Sequence, residues 1–140
     1  MSDDALKRLL GELHRGVLVT LKRDGRPQLS NVSYAYDPET NLIRISVTDG
    51  RAKTANLRRD PRASFHVTSA DFWSFAVADG DAELSAVAAD PHDAAVDELV
   101  EVYKAIAGEH SDWDEYRAAM VADKRLVIRI PVSHLYGQAS

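Results

Sequence analysis

The amino-acid sequence predicts a mainly β (α+β) fold, an antiparallel barrel with peripheral helices, on three grounds. About seven short strand-like runs, β-branched or alternating in polarity, are spread along the chain. Most are joined by Asp-Gly or Asp-Pro turns, too tight for the helical crossover that parallel strands require. Helical periodicity is confined to the start, to one segment between the third and fourth strands, and to a pair of segments before the last. A length of 140 residues with 45% hydrophobic content suits one domain, residues 1–140, able to bury a core without staples.

Leu6, Leu9, Leu10 and Leu13 fall at helical spacing, so the opening segment is an amphipathic helix capped by Ser2 or Asp3. Gly16 ends that helix or opens the next strand, and GVLVTL at 16–21 is apolar on both faces, as in a central strand. Asp24-Gly25 turns the chain toward Pro27, after which Gln28, Ser30, Val32, Tyr34 and Tyr36 alternate with Leu29, Asn31, Ser33 and Ala35. A turn at 37–41 leads into LIRISVT at 42–48 and completes three consecutive antiparallel strands. Asp49-Gly50 then precedes a short helix over 51–60, closed by Asp60-Pro61.

Strands resume with ASFHVT at 63–68 and FWSFAVA at 72–78, and an Asp79-Gly80 turn is expected to lead into DAELSA at 81–86 as a second meander. A helix over about residues 92–107 places Val96, Leu99, Val100, Tyr103 and Ile106 on one face before Gly108 stops it. A second helix starts at the capping-box pattern of Ser111 and Asp114 and carries Trp113, Tyr116 and Met120 inward. RLVIRI at 125–130 is the last expected strand, ended or bent by Pro131.

Composition removes several chemistries. Zero cysteines exclude disulfides, a thiol nucleophile, thiolate zinc and iron–sulfur ligation, and make the cytoplasm the expected compartment. His14, His66, His92, His110 and His134 show no metal-ligand spacing, so no metal is expected. Neither a dinucleotide fingerprint, a P-loop nor a G-x-S-x-G elbow occurs. The acidic start lacks a signal-peptide pattern and no apolar run reaches membrane-span length, so no membrane association is expected; a net charge of −5 argues against nucleic acid.

That charge is divided unevenly. Residues 15–62 hold ten Lys/Arg against five Asp/Glu, whereas residues 79–123 hold two against thirteen, so an anionic ligand would choose the first stretch and the second reads as solvated helices. Within the basic stretch, Arg51, Lys53, Thr54 and Asn56 bring two cations, a hydroxyl and an amide to the first turns of a helix whose N-terminal dipole already favours an anion. Arg51 and Lys53 read either as an anion site or as part of a solvated basic face; Arg58 and Arg59, in the last turn, read as the latter. Lys22, Arg23 and Arg26 extend a cationic groove or serve solubility alone. Gln28, Ser30 and Asn31 are groove-lining donors or ordinary outward residues, and Trp73 and Phe75, on one face of their strand, are core or cofactor wall.

Together, GVLVTLKRDGRPQLSNVSY, LIRISVTDGRAKTANLRRDPRASFHV, DFWSFAVADGDAEL, AIAGEHSDWDEYRAAM and PVSHLYGQ resemble the flavin- and deazaflavin-binding split β-barrel superfamily that includes pyridoxamine 5′-phosphate oxidase, over residues 16–137. Within that superfamily the chain looks like the short actinobacterial branch whose members bind coenzyme F420. The resemblance implies an FMN-binding-type split barrel forming a homodimer, with cofactor grooves at the interface. It implies that the cofactor phosphate is held around Arg51, Lys53, Thr54 and Asn56, with Ala52 also among the cofactor-binding residues, that Gln28, Ser46 and Val47 line the ring, and that Lys22, Asn31, Trp73 and Phe75 of the partner subunit close the site. The expected activity is that of an F420(H2)-dependent oxidoreductase, reducing a conjugated or quinone-like small-molecule acceptor. An FMN-dependent oxidoreductase and a non-catalytic flavin or deazaflavin carrier are the alternatives. No catalytic side chain is implied. RIPVSH at 129–134 does not reproduce the C-terminal Arg and His that grip pyridoxal phosphate in the vitamin oxidases, which argues against that activity.

Overall fold

Residues 3–139 are described by a computed structural model with four helices and eight strands, in the order α1 (Asp4–Glu12), β1 (Arg15–Leu21), β2 (Pro27–Asp37), β3 (Leu42–Thr48), α2 (Ala52–Arg59), β4 (Arg62–Thr68), β5 (Phe75–Asp81), β6 (Glu83–Leu84), α3 (Ala94–Ala107), α4 (Trp113–Ala122), β7 (Arg125–Pro131) and β8 (His134–Gln138). The strands form one curled sheet, β6-β7-β3-β2-β1-β4-β5-β8, in which every neighbouring pair is antiparallel.

Period-two alternation decides which side of each strand faces the interior. Ile43, Ile45 and Val47 lie opposite Ile130, Ile128 and Leu126 and are buried with Leu18, Tyr34, Phe65 and Val67. Helix α1 plugs one end with Leu6, Leu9 and Leu10, and the buried Tyr34 hydroxyl donates to the Leu10 carbonyl at 2.6 Å. That burial pushes the Tyr34 phenol well above its ordinary pKa, so it acts as a neutral donor. Asp3 is the N-cap residue of α1 but makes no side-chain cap bond; Ser2 lies outside the described residues.

The opposite face of the sheet is covered only in part. Helices α3 and α4 pack Val96, Leu99, Val100, Val102 and Met120 on Ala35 and Val127, on the outward side of β2 and β7. Outward-facing Arg44 of β3 and Arg129 of β7 are directly opposite, an arrangement that is unfavourable alone. Glu98 of α3 sits between them, 2.6 Å from Arg129 and 3.8 Å from Arg44, and Glu101 meets Arg44 at 3.0 Å. Asp97 pairs with Arg117 at 3.0 Å. The acidic helices are therefore not simply solvated: three of their carboxylates fasten them to the barrel or to each other.

Several sequence expectations need correction. Asp79-Gly80 is not a turn but lies inside β5, opposite Ser64 and Ala63. Glycine is required there for a different reason: a Cβ on Gly80 would collide with the Pro131 carbonyl, where β5 meets the end of β7 and the barrel closes. Strand β6 has only two residues and pairs with β7, so no second three-stranded meander forms. There are eight strands rather than about seven, because residues 134–138 pair with β5. The last helix is capped by Asp112, which accepts from the Glu115 N–H at 3.1 Å, rather than by Ser111. Arg59 is not a free surface cation, since it donates to the Leu21 carbonyl and to Asn56, both at 2.9 Å.

Candidate functional site

At the junction of β3 and α2, Gly50 adopts a left-handed φ of 82°, which turns the chain so that Arg51 becomes the N-cap residue of α2. Arg51 makes no side-chain cap bond, and the first N–H groups of the helix have no intrahelical partner. Arg51 and Lys53 face a groove of about 520 Å³. Its barrel side is formed by Asn31, Ser33, Ser46 and Thr48, and its far wall by Tyr103, Ile106, Tyr116 and Met120 of the helical pair. Arg125, opposite Thr48 on β7, supplies a third cation. Among the described residues no Asp or Glu lines this groove. Burial, followed by the charges of Arg51 and Arg125, lowers the Lys53 pKa below its ordinary value.

Arg125 is poorly satisfied. Its terminal nitrogen reaches the Ser46 carbonyl and hydroxyl only at 3.4 Å, and its buried Nε has no hydrogen-bond partner. A second groove of about 640 Å³ lies on the other side of the Asn31–Ser33 segment, lined by Arg15, Val17, His66, Thr68 and Phe72.

The expected site residues divide accordingly. Asn31, Ser46, Val47, Arg51 and Lys53 line the first groove, although the Val47 side chain points into the core. Ala52 is exposed beside them on α2. Thr54 is fully buried and its hydroxyl donates to the Arg51 carbonyl at 2.9 Å, so it shapes the helix start from within. Asn56 is buried too, donating to the Thr20 hydroxyl at 3.1 Å and accepting from Arg59. Gln28 is opposite Thr20, outside the linings of both grooves. Lys22 is exposed where the β1–β2 hairpin begins its turn.

Trp73 is not on a strand with Phe75. It lies in the preceding turn, 76% exposed, next to Phe72 at 80% with a left-handed φ of 71°. Asp71 and Ser69 fix that turn, Asp71 accepting from the Ser69 hydroxyl at 2.6 Å and the Trp73 N–H at 3.0 Å. Phe75 faces outward on β5, its ring 6.0 Å from that of His66. Arg125, Tyr103 and Tyr116 were missed as groove residues. Their placement depends on pairing β3 with β7 and on the docking of α3 and α4, long-range contacts without a local signature. Among the described residues no cluster of three or more His, Cys, Asp or Glu could hold a metal, and no helix is long and apolar enough to cross a membrane.

The curled antiparallel sheet with its flanking helices is the split-barrel architecture. A profile of the pyridoxamine 5′-phosphate oxidase family matches residues 2–139, and the chain belongs to that family. It is 34% identical over 73 residues to an F420H(2)-dependent biliverdin reductase of Mycobacterium tuberculosis, a match spanning 52% of this chain and only 53% of that relative. Among solved structures, it superposes on a conserved hypothetical protein from Mycobacterium tuberculosis with a TM-score of 0.76 at 23% identity, covering 99% of this chain and 85% of the other. An F420 reductase superposes with a TM-score of 0.68 at 22% identity, over 93% and 94% of the two chains.

Proposed function

We propose that the protein is an F420(H2)-dependent oxidoreductase that reduces a conjugated or quinone-like small-molecule acceptor. The observation that carries this reading is the groove in which cations converge with no facing carboxylate, in a chain related to an F420H(2)-dependent reductase. The residues present suit such a group: Arg51 and Lys53 would hold its phosphate, and Ser46 and the backbone at Val47 would line its ring. When bound, the reduced deazaflavin supplies the hydride. The chain's own residues bind and orient. Tyr103, Ile106 and Met120 exclude water from one side of the groove, and the adjacent groove across Asn31–Ser33 offers room for the acceptor.

The same reading includes a homodimer. No helix packs on the outward side of β1, β4 and β5 among the described residues, and Leu29, Phe72, Trp73 and Tyr136 are exposed on that face or at its edge. A second copy would cover them, bringing Asn31, Trp73 and Phe75 of one subunit toward the groove of the other.

Parallel fluorescence titrations with F420 and FMN test the cofactor. Micromolar F420 affinity, about −8.2 kcal/mol, with weaker FMN binding is expected. Tighter FMN binding would replace F420 by the flavin, and binding of neither would overturn the oxidoreductase reading.

A further inference from the structure

We propose that Arg125 is a phosphate-binding residue, completing with Arg51 and Lys53 a three-cation cradle that the R-x-K-T-x-N segment does not build alone. The proposal rests on the reading of the groove as a phosphorylated-cofactor site and assigns a new member to it.

The other arginines beside α3 and α4 have carboxylate partners. Arg44 meets Glu101, Arg117 meets Asp97, and Arg129 is held by both oxygens of Glu98. Arg125 projects from the same side of β7 as Arg129, next to the same acidic helices, and yet no carboxylate reaches it. Where α3 and α4 border the groove they present Tyr103, Ile106, Ala107, Tyr116 and Met120 instead of their acids. A guanidinium whose Nε is buried without an acceptor, and whose hydrogen bonds among the described residues are two long 3.4 Å approaches to Ser46, keeps most of its fork of donors for a ligand. The cations that crowd it, Arg51 and Lys53, select an oxyanion as that ligand, and a phosphate matches the fork in geometry.

Two other roles would leave different signatures. Arg125 as a strut between β7 and β3 would affect all ligands equally through the fold. Arg125 as a partner of the cofactor ring would affect phosphate-free chromophores as strongly as phosphorylated ones.

The test compares Arg125→Gln and Arg125→Lys with the unaltered protein in fluorescence titrations of F420 and FMN against their phosphate-free counterparts, the deazaflavin chromophore and riboflavin. R125Q is expected to weaken the phosphorylated ligands by about tenfold or more and the phosphate-free ones by less than about twofold, with R125K intermediate. Equal losses for both ligand sets, or no loss, overturn the assignment. Inorganic phosphate provides a readout independent of the cofactor: it should raise the melting temperature of the unaltered protein and raise that of R125Q much less. If neither flavin nor deazaflavin binds but this phosphate effect depends on Arg125, the oxidoreductase reading fails and the anion site stands. If phosphate acts equally on both proteins, Arg125 is no part of the anion site and the assignment fails. Should R125Q not fold, R125K carries the same comparison, since it keeps the charge and lacks the Nε donor and planar fork.

Discussion

Glu98 holds Arg129 with both carboxylate oxygens, at 2.6 and 2.8 Å, and lies 3.8 Å from Arg44, the residue opposite Arg129 on the neighbouring strand. One carboxylate thus offsets two facing cations and ties α3 to the sheet. Glu98→Ala should destabilise the protein by about 2–3 kcal/mol, measured by urea unfolding, because it leaves the two arginines facing each other partly buried. Adding Arg129→Ala should recover part of that loss; a fully additive double mutant would refute the coupling.

Lys53 is expected to trade stability for binding. Lys53→Met removes a partly buried cation beside Arg51 and Arg125, and the ligand-free protein should gain about 0.3–1 kcal/mol, the scale of a misplaced charge at a helix N-terminus. Its F420 affinity should fall at least about tenfold, or about 1.4 kcal/mol. A loss of stability together with unchanged affinity would make Lys53 an ordinary structural residue.

Binding should weaken as the solution is made alkaline. On the proposed reading the Lys53 ammonium holds the phosphate; burial with its cationic neighbours lowers its pKa in the free protein, and bound phosphate would raise it again. Affinity is therefore full below the free-protein pKa and declines as the pH rises through it, levelling off above the pKa of the complex. Dissociation constants measured from about pH 7 to about pH 10 should show this slope in the unaltered protein and not in Lys53→Met. Identical slopes would remove Lys53 from the linkage.

Gly80→Ala should open the seam of the barrel. The added methyl meets the Pro131 carbonyl and the Ile130 side chain, both fixed in β7, and overpacking of this kind costs about 1–3 kcal/mol. A lowered urea midpoint is the expected result, and an unchanged one would mean that the seam relaxes freely.

Trp73→Ala should separate folding from assembly. With 76% of the residue exposed, its loss should change subunit stability by no more than about 0.5 kcal/mol. Sedimentation should nevertheless show dimer dissociation shifted by about tenfold or more. A protein that is monomeric in both forms would remove the partner from the site.

The three-stranded opening, the short helix and the core face of α3 were legible because each has a local cause: alternation, Asp-Gly turns, or spacing of three and four. Arg51 and Lys53 were legible for the same reason, as cations standing where the helix dipole disfavours them. Arg125 was not, since an arginine at the start of an apolar strand is unremarkable until β7 is paired with β3. Gly80 was misread because a glycine after aspartate signals a turn locally, whereas its actual requirement comes from Pro131, far along the chain. Thr54 and Asn56 look like ligand donors in sequence and yet spend their hydrogen bonds on Arg51 and Thr20, a competition visible only in three dimensions.

The outward residues Asn31 and Ser33 border both grooves at once. A substitution on this short stretch of β2 reshapes two cavities simultaneously, so divergence there changes both grooves together. The α3–α4 wall borders only the first groove, and Arg15, His66 and Phe72 border only the second. Varying these outer walls can therefore change one groove while keeping the other, with the central strand as the constraint on how far either can drift.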